Sequence, residues 1–216
     1  MTTFRDRADA AEQLARALKA RGAEHPVVLG IPRGGVVISD IIARRLGAEH
    51  GVVVARKLGA PTQPELAIGA VTARGGMYID ASIATMSGAT EQYIAEERGR
   101  QIEEARRREA AFDGARTPEV SGRVVVVVDD GVATGATAIA AIRSVKAQGA
   151  KQVIFAIPVG PTHTVAQLRE EADQVVCLSV ESDFYAVGQF YEDFRPIEDD
   201  EVDALLSKRR DSNSSN

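Results

Sequence analysis

Runs of β-branched residues alternate with helical patterns along most of this chain. The apolar runs lie at residues 25–31, 51–55, 124–128, 152–158 and 174–180. Helical periodicity is clearest at residues 4–21, 90–112, 162–171 and 198–206. Uninterrupted apolar runs are typical of strands that are buried on both faces of a parallel sheet. The alternation therefore predicts an α/β fold with a mainly parallel central sheet flanked by helices, in a single domain over residues 1–207.

The most informative stretch is residues 124–137, which read VVVVVDDGVATGAT. Five valines lead into Asp129 and Asp130, and a Gly/Thr-rich turn then precedes an alanine-rich helical pattern. Ligands of α/β proteins bind at the carboxyl ends of such strands, and the free amides at a helix start favour phosphate. A sugar phosphate fits both parts, because the turn can hold its phosphate while the acids accept hydrogen bonds from ribose hydroxyls. A Walker A loop is excluded because the turn has no lysine, and GxGxxG is absent.

This stretch resembles the binding motif for phosphoribosyl pyrophosphate (PRPP) in type I phosphoribosyltransferases. The resemblance implies a glycosyltransferase of nucleotide metabolism that moves the 5-phosphoribosyl group of PRPP to a nitrogen acceptor, expected to be a nucleobase, and releases pyrophosphate. It implies that Asp129 and Asp130 are catalytic and contact the ribose. The residues that it implies for the 5′-phosphate are Ala133, Thr134, Gly135, Ala136 and Thr137. The expected cofactor is Mg²⁺, held mainly through PRPP and also by Asp129 or Asp130.

A second strand–turn–helix junction follows the first apolar run. The sequence PRGG occupies residues 32–35 and is followed by helical periodicity through Leu46. Adjacent glycines let a backbone approach a ligand closely, and Arg33 adds a cation that suits phosphate oxygens. A simple tight turn is the alternative. In the family resembled, a loop in this place binds pyrophosphate, which implies that role for Arg33, Gly34 and Gly35.

The run at residues 51–55 predicts a third buried strand, which Arg56 and Lys57 would end. A cation pair at a strand end is often only a solvated boundary, but Lys57 matches the family lysine that contacts pyrophosphate. Residues 58–88 follow and begin with a stretch rich in glycine and proline, with short strands predicted at 67–72 and 77–79. Long loops of compact domains are often lids, and the family has a mobile loop here, so we expect a flexible lid.

Half of the ten aromatic residues lie in the segment DFYAVGQFYEDF at residues 183–194. Such a segment can cap the core, form an interface or stack on a flat base. It resembles the C-terminal part of the family's hood, the segment that recognises the base and that we expect at residues 181–207. Phe184 and Tyr185 are then candidates for base stacking, and exposed aromatic residues would also allow a homodimer. Residues 208–216 are polar and predict a disordered tail.

Composition narrows the class of partners. A net charge of −5 and a pI near 5.3 argue against a nucleic-acid or anionic-membrane surface. No apolar run approaches the roughly 20 residues that span a bilayer, and the first residues lack the apolar core of a signal peptide. The single cysteine, Cys177, fits a reducing compartment. We therefore expect a cytoplasmic protein with small-molecule substrates. His163 follows a strand end and either reaches the site or lies on the surface.

Two other functions are compatible with parts of this pattern. A non-catalytic PRPP or nucleotide sensor would use the same scaffold and the same phosphate-binding turn. A phosphatase or hydrolase could use the acid pair, but the usual DxD spacing is missing because Asp129 and Asp130 are adjacent. The sequence singles out no general base and does not identify the acceptor.

Overall fold

The computed structural model describes residues 3–21, 25–112 and 118–213, with side chains up to residue 207. The strands are β1 (Val27–Gly30), β2 (Glu49–Val52), β3 (Ala55–Gly59), β4 (Ala67–Thr72), β5 (Met77–Ile79), β6 (Val124–Val128), β7 (Gln152–Pro161) and β8 (Gln174–Glu181). The helices are α1 (Arg7–Lys19), α2 (Gly34–Leu46), α3 (Ala81–Met86), α4 (Glu91–Ala111), α5 (Ala136–Ala147), α6 (Thr162–Glu171) and α7 (Asp199–Asn213). A short 3-10 helix spans Val187–Phe190. No helix within these described ranges has the length and apolar character to cross a membrane.

A five-stranded sheet in the order β2-β1-β6-β7-β8 forms the centre of the fold, and all of its pairings are parallel. Alternate valines of β6 point to opposite faces. Val126 and Val128 pack with apolar residues of α1 and α2, while Val125 and Val127 pack with residues of α5 and α6. Because helices cover both faces, the whole strand is apolar. The predicted α/β fold with a parallel central sheet flanked by helices is confirmed.

The predicted third strand is wrong in its extent. The observed strand β2 ends at Val52, whereas the apolar run predicts a strand over residues 51–55. Arg56 and Lys57 consequently do not end a strand of the central sheet. They lie inside β3, the first strand of a separate antiparallel sheet in the order β3-β4-β5.

The chain changes sheets at Val53 and Val54. The amide of Val53 donates to the carbonyl of Gly30 at the end of β1, and the carbonyl of Val54 accepts from the amide of Ala73 just after β4. Both valines are buried, because the two sheets meet around them. The apolar run therefore continues across a break between strands, and hydrophobicity alone does not reveal that break.

The predicted lid contains regular structure. Its strands β4 and β5 have the predicted bounds, and helix α3 follows them. Ala70 of β4 packs against Ala136 and Ala140 of α5, while Ile68 and Ile102 share an apolar cluster between β4 and α4. The segment is thus seated against the helix that starts at the glycine–threonine turn. Its mobility stays a prediction.

Helix α7 is longer than the sequence pattern predicts. Val202 and Leu206 are buried and attach the helix to the body of the protein. From this anchored part the helical backbone continues to Asn213, so it includes residues 208–213, for which the polar composition predicts disorder. The disorder predicted for the tail from residue 208 stays a prediction, and residues 214–216 lie outside the described residues.

Candidate functional site

The glycine corner at residues 32–35 and the acid pair meet at one edge of the central sheet, because β1 and β6 are neighbours. A Cβ added to Gly34 would lie 1.8 Å from Oδ2 of Asp130. A Cβ added to Gly35 would lie 2.6 Å from the carbonyl oxygen of Val128 and 3.0 Å from Cα of Asp129. Only glycine permits this approach of the corner to the acids. The peptide bond between residues 32 and 33 is cis.

The turn at residues 131–137 presents unpaired amides at the start of α5. Gly135 occupies the N-cap position with a φ of 78°, in the left-handed region that favours glycine. Within the described part of the chain, no group accepts a hydrogen bond from the amides of residues 133–138. Ala133 and Thr134 are exposed to solvent. Free amides at the positive end of a helix suit a phosphate group.

Thr164, in the first turn of α6, contacts this turn through both its hydroxyl and its methyl group. Its buried hydroxyl donates to the carbonyl oxygen of Ala133 at 2.7 Å. Its methyl carbon lies 2.8 Å from where a Cβ of Gly135 would be. The hydroxyl also lies 3.1 Å from Nε2 of His163, and because its one proton is donated to Ala133, the imidazole is the donor in this contact. The sequence analysis did not identify Thr164, although its place directly after β7 puts it at the same sheet edge.

Asp130 is held by residues from both ends of the chain. Nε of Arg7 donates to Oδ2 of Asp130 at 2.8 Å, and the Tyr191 hydroxyl donates to the Asp130 carbonyl oxygen at 2.6 Å. The guanidinium of Arg7 also donates to the carbonyl of Arg195 at 2.8 Å and lies 3.9 Å from the ring centre of Phe194. Sequence reasoning missed Arg7, because no motif surrounds it.

The two acids differ in their electrostatic surroundings. Loss of water contact, and next the charge of Asp130, raise the pKa of Asp129 well above its usual value of 3.8. The Asp130 amide donates to Oδ1 of Asp129 at 2.8 Å and opposes this effect. Arg7 compensates the charge of Asp130, whereas no cation forms an ion pair with Asp129 among the described residues. Burial also raises the pKa of the Tyr191 hydroxyl.

A metal site built from protein ligands alone is absent among the described residues, where no three His, Cys, Asp or Glu side chains cluster suitably. One oxygen of each acid is engaged, Oδ1 of Asp129 by an amide and Oδ2 of Asp130 by Arg7. No described group outside the pair donates to the second oxygen of either acid, and an interaction between the two carboxyls contributes to the raised pKa of Asp129. This arrangement fits Mg²⁺, which commonly takes one or two carboxylates and fills its remaining positions with water and substrate phosphates.

The predicted cations of the pyrophosphate region lie in different surroundings. The Arg33 guanidinium is 3.5 Å from Oε2 of Glu198 and 3.9 Å from Oδ1 of Asp199, at the start of α7. Lys57 is exposed in β3 and forms no ion pair with another described residue. No hydrogen bond or ion pair between described residues joins Lys57 to the glycine corner, so its role in pyrophosphate binding stays a prediction.

The segment predicted to form the hood contacts, through Val187, the residue that follows the acid pair. A Cβ on Gly131 would lie 2.5 Å from Val187, so the 3-10 helix rests directly on the residue that follows the acids. Phe184 is half-buried and stacks on Phe190 with ring centres 5.3 Å apart, which occupies one of its faces. Tyr185 is 92% exposed. Base stacking by Phe184 and Tyr185 stays a prediction.

Comparisons with known proteins identify the family of this chain. The family model of the phosphoribosyl transferase domain matches residues 3–195. A curated protein of Mycobacterium tuberculosis H37Rv, provisionally named a phosphoribosyl transferase, is 44% identical over 218 residues, which cover 96% of this chain and 47% of that protein. A second curated protein, from strain CDC 1551, matches to the same extent. The chain thus spans about half the length of these curated relatives.

Solved structures show the same fold. Protein TT1426 of Thermus thermophilus is 44% identical, with a TM-score of 0.82 over 96% of this chain and 99% of that one. A hypothetical protein of Neisseria gonorrhoeae, solved with bound ppGpp, has a TM-score of 0.54 at 12% identity over 97% of this chain and 100% of that one, a likeness of fold alone. With the matched family model and these relatives, the chain belongs to the phosphoribosyl transferase domain family.

Proposed function

We propose that this protein is a Mg²⁺-dependent phosphoribosyltransferase that moves the 5-phosphoribosyl group of PRPP to a nitrogen acceptor, namely a nucleobase. The observation that supports this most directly is the close approach of Gly34 and Gly35 to Asp130 and Asp129 at one sheet edge. Beside them, the turn at residues 133–137 presents free amides. A pentose with a phosphate group at each end could place one phosphate at the turn, its hydroxyls at the acid pair and its other phosphate at the glycine corner.

PRPP would lie across the carboxyl ends of β1 and β6. The amides of the turn, including those of Thr134 and Thr137, would hold the 5′-phosphate at the positive end of α5. The free carboxylate oxygens of Asp129 and Asp130 would accept hydrogen bonds from the ribose hydroxyls. The amides of the glycine corner would bind pyrophosphate, with Arg33 and Lys57 supplying positive charge.

The proposed reaction is a displacement at ribose C1. The bond between C1 and the pyrophosphate oxygen breaks, a bond to the acceptor nitrogen forms, and the acceptor loses a proton. The negative charge of Asp130, which Arg7 helps to maintain, and that of Asp129 once it has lost its proton stabilise the positive charge that develops on the ribose ring. Holding donor and acceptor in one pocket in the right orientation would supply much of the remaining rate enhancement. Bound Mg²⁺ would offset the charge on the departing pyrophosphate.

Binding and turnover can be tested separately. Isothermal titration with PRPP and Mg²⁺ measures binding, and a pyrophosphate-release assay over a panel of purine and pyrimidine bases measures transfer. The double variant Asp129→Asn with Asp130→Asn is expected to abolish transfer and weaken PRPP binding. A double variant with undiminished turnover would contradict the proposal. PRPP binding without pyrophosphate release for every base would favour a non-catalytic PRPP or nucleotide sensor on the same fold.

A further inference from the structure

A groove rich in arginine lies between β3, α4 and the start of α7. It has a volume of about 380 Å³. The residues that line it are Arg56, Glu104, Arg107, Arg108, Ala111 and Asp199. Three of these are cations and two are acids, so the lining carries a net positive charge. Neither the sequence motifs nor the reaction above uses this groove.

Asp199 connects the groove to the glycine corner. Its Oδ2 lies 3.6 Å from Arg108 of α4, and its Oδ1 lies 3.9 Å from Arg33 of the corner. Glu198 adds a second carboxylate 3.5 Å from Arg33. A carboxylate between two guanidinium groups occupies a position that also suits phosphate oxygens, because guanidinium pairs with both anions through the same fork of N–H donors.

We propose that this arginine groove extends the pyrophosphate-binding corner, and that Asp199 occupies the shared anion position until a pyrophosphate group displaces it. This inference rests on the proposed function, since it assigns Arg108 and Arg56 to the pyrophosphate end of the same ligand. Asp199 then acts as an internal competitor for Arg33 and Arg108.

The ion pairs that Asp199 makes are suited to displacement. The side chain of Asp199 is 53% exposed, and those of Arg33 and Arg108 are 40% and 35% exposed. Exposed ion pairs are weak because water and salt screen them. Pyrophosphate carries more charge than a carboxylate and offers oxygens to several guanidinium groups at once, so it can replace a single carboxylate.

The remaining arginines keep the groove positive. Arg107 donates to Glu104, and the pKa of Glu104 is lowered, first by this hydrogen bond and further by the charges of Arg107, Arg56 and Arg108. Arg56 donates through Nε to Gln101 at 3.2 Å, so a neutral side chain orients it and leaves its charge uncompensated by that contact. Displacement of Asp199 would leave Glu104 as the one acid in the lining.

Inorganic pyrophosphate, titrated calorimetrically at low salt, is the probe for this groove. Asp199→Asn is expected to tighten pyrophosphate binding about two- to fivefold, and Arg108→Gln to weaken it by a similar factor. The matched controls are Asp200→Asn and Arg98→Gln, which change exposed residues of the same two helices. Both controls are expected to bind pyrophosphate as the unsubstituted protein does.

Ribose 5-phosphate separates this inference from the proposed function, because it lacks the pyrophosphate group. All four variants should bind it with unchanged affinity. Unchanged pyrophosphate affinity in both Asp199→Asn and Arg108→Gln would overturn the groove assignment and leave the proposed function intact. An unsubstituted protein that binds neither pyrophosphate nor ribose 5-phosphate would overturn the proposed function, and the inference with it.

Discussion

Nε of Arg7 lies 2.8 Å from Oδ2 of Asp130, and this ion pair joins residues that are 123 positions apart in the chain. The first helix thereby reaches the carboxyl edge of the central strand β6. The same guanidinium also lies over Phe194, so one side chain links the N-terminal helix, the acid pair and the C-terminal segment. Arg7 orients Asp130 without being part of the glycine corner or of the turn at residues 131–137.

Replacing Arg7 by glutamine should lower the free energy of unfolding by about 3 kcal/mol, because Asp130 would keep a largely buried charge without its partner. The side chains of the pair are only 9% and 15% exposed. Urea denaturation measures the change. Arg5→Gln is the matched control, since Arg5 is 76% exposed and its pairing with Asp9 is expected to contribute under about 1 kcal/mol. Equal losses in both variants would show that the Arg7 pair contributes no more than a surface contact.

Replacing Gly35 by alanine should separate the glycine corner from the acids. The new Cβ would lie 2.6 Å from the Val128 carbonyl oxygen, so the backbone must move, at a cost of about 1–3 kcal/mol. PRPP affinity should fall with stability. Gly99→Ala in α4 is the control, because nothing lies within 4 Å of that Cβ and alanine should stabilise the helix by about 0.5–1 kcal/mol. Normal PRPP binding by Gly35→Ala would show that the close approach is not required.

Asp129 should make stability depend on pH. Because its pKa is raised in the folded protein, the folded state keeps a proton that the unfolded chain releases as pH rises above 3.8. The stability of the protein therefore falls with rising pH through the window between the two pKa values. Asp129→Asn removes this penalty and still accepts from the Asp130 amide.

Urea denaturation at two pH values tests this effect. The gain in free energy of unfolding for Asp129→Asn over the unsubstituted protein should be small near the usual aspartate pKa of about 4 and larger at neutral pH. The surface variant Asp200→Asn should show no comparable growth. A gain for Asp129→Asn that is the same at both pH values would contradict a raised pKa for this carboxyl.

Thr164 should position the turn at residues 131–137, the proposed site of the 5′-phosphate, through its hydrogen bond to Ala133. Thr164→Val keeps the shape but removes the donor to the Ala133 carbonyl, and the loss of one such hydrogen bond costs about 0.5–1.5 kcal/mol. The KM for PRPP should rise by about tenfold, equivalent to roughly 1.4 kcal/mol, with a smaller change in kcat. Thr164→Ser keeps the hydroxyl and should restore most of the affinity. If valine and serine gave the same KM, the hydrogen bond would have no part in holding the turn.

The sequence predicts those parts of the fold that depend on local pattern. The apolar run and following turn locate β6 and α5, and periodicity and strand patterning give the bounds of α6, β4 and β5. The resemblance to a known motif brings the acid pair, the turn and the glycine corner to one place, and the structure places them at one sheet edge. Each of these signals lies within about 20 consecutive residues.

Features that depend on distant contacts are not visible in the sequence. Arg7 begins an ordinary amphipathic helix, and only the packing of α1 beside the sheet brings it to Asp130. In the sequence, Thr164 looks like any threonine at a helix start, and only the fold brings its hydroxyl to the carbonyl of Ala133. The pairing of Arg33 with Asp199 depends on where α7 docks. The hydrophobic pattern likewise cannot show that the chain passes from one sheet to the other at Val53, because the residues on both sides of this break are buried.

The parallel pairing of β1 with β6 fixes the distance between the segments that follow these two strands. Gly30 and Val128 are opposite each other, so the glycine corner and the acid pair start in the same register on strands about 4.8 Å apart. Main-chain hydrogen bonds fix that spacing, and substitutions of side chains elsewhere leave it unchanged. The C-terminal segment, which contacts Gly131 and the Asp130 carbonyl, can therefore vary in sequence while the spacing between the glycine corner and the acid pair stays constant.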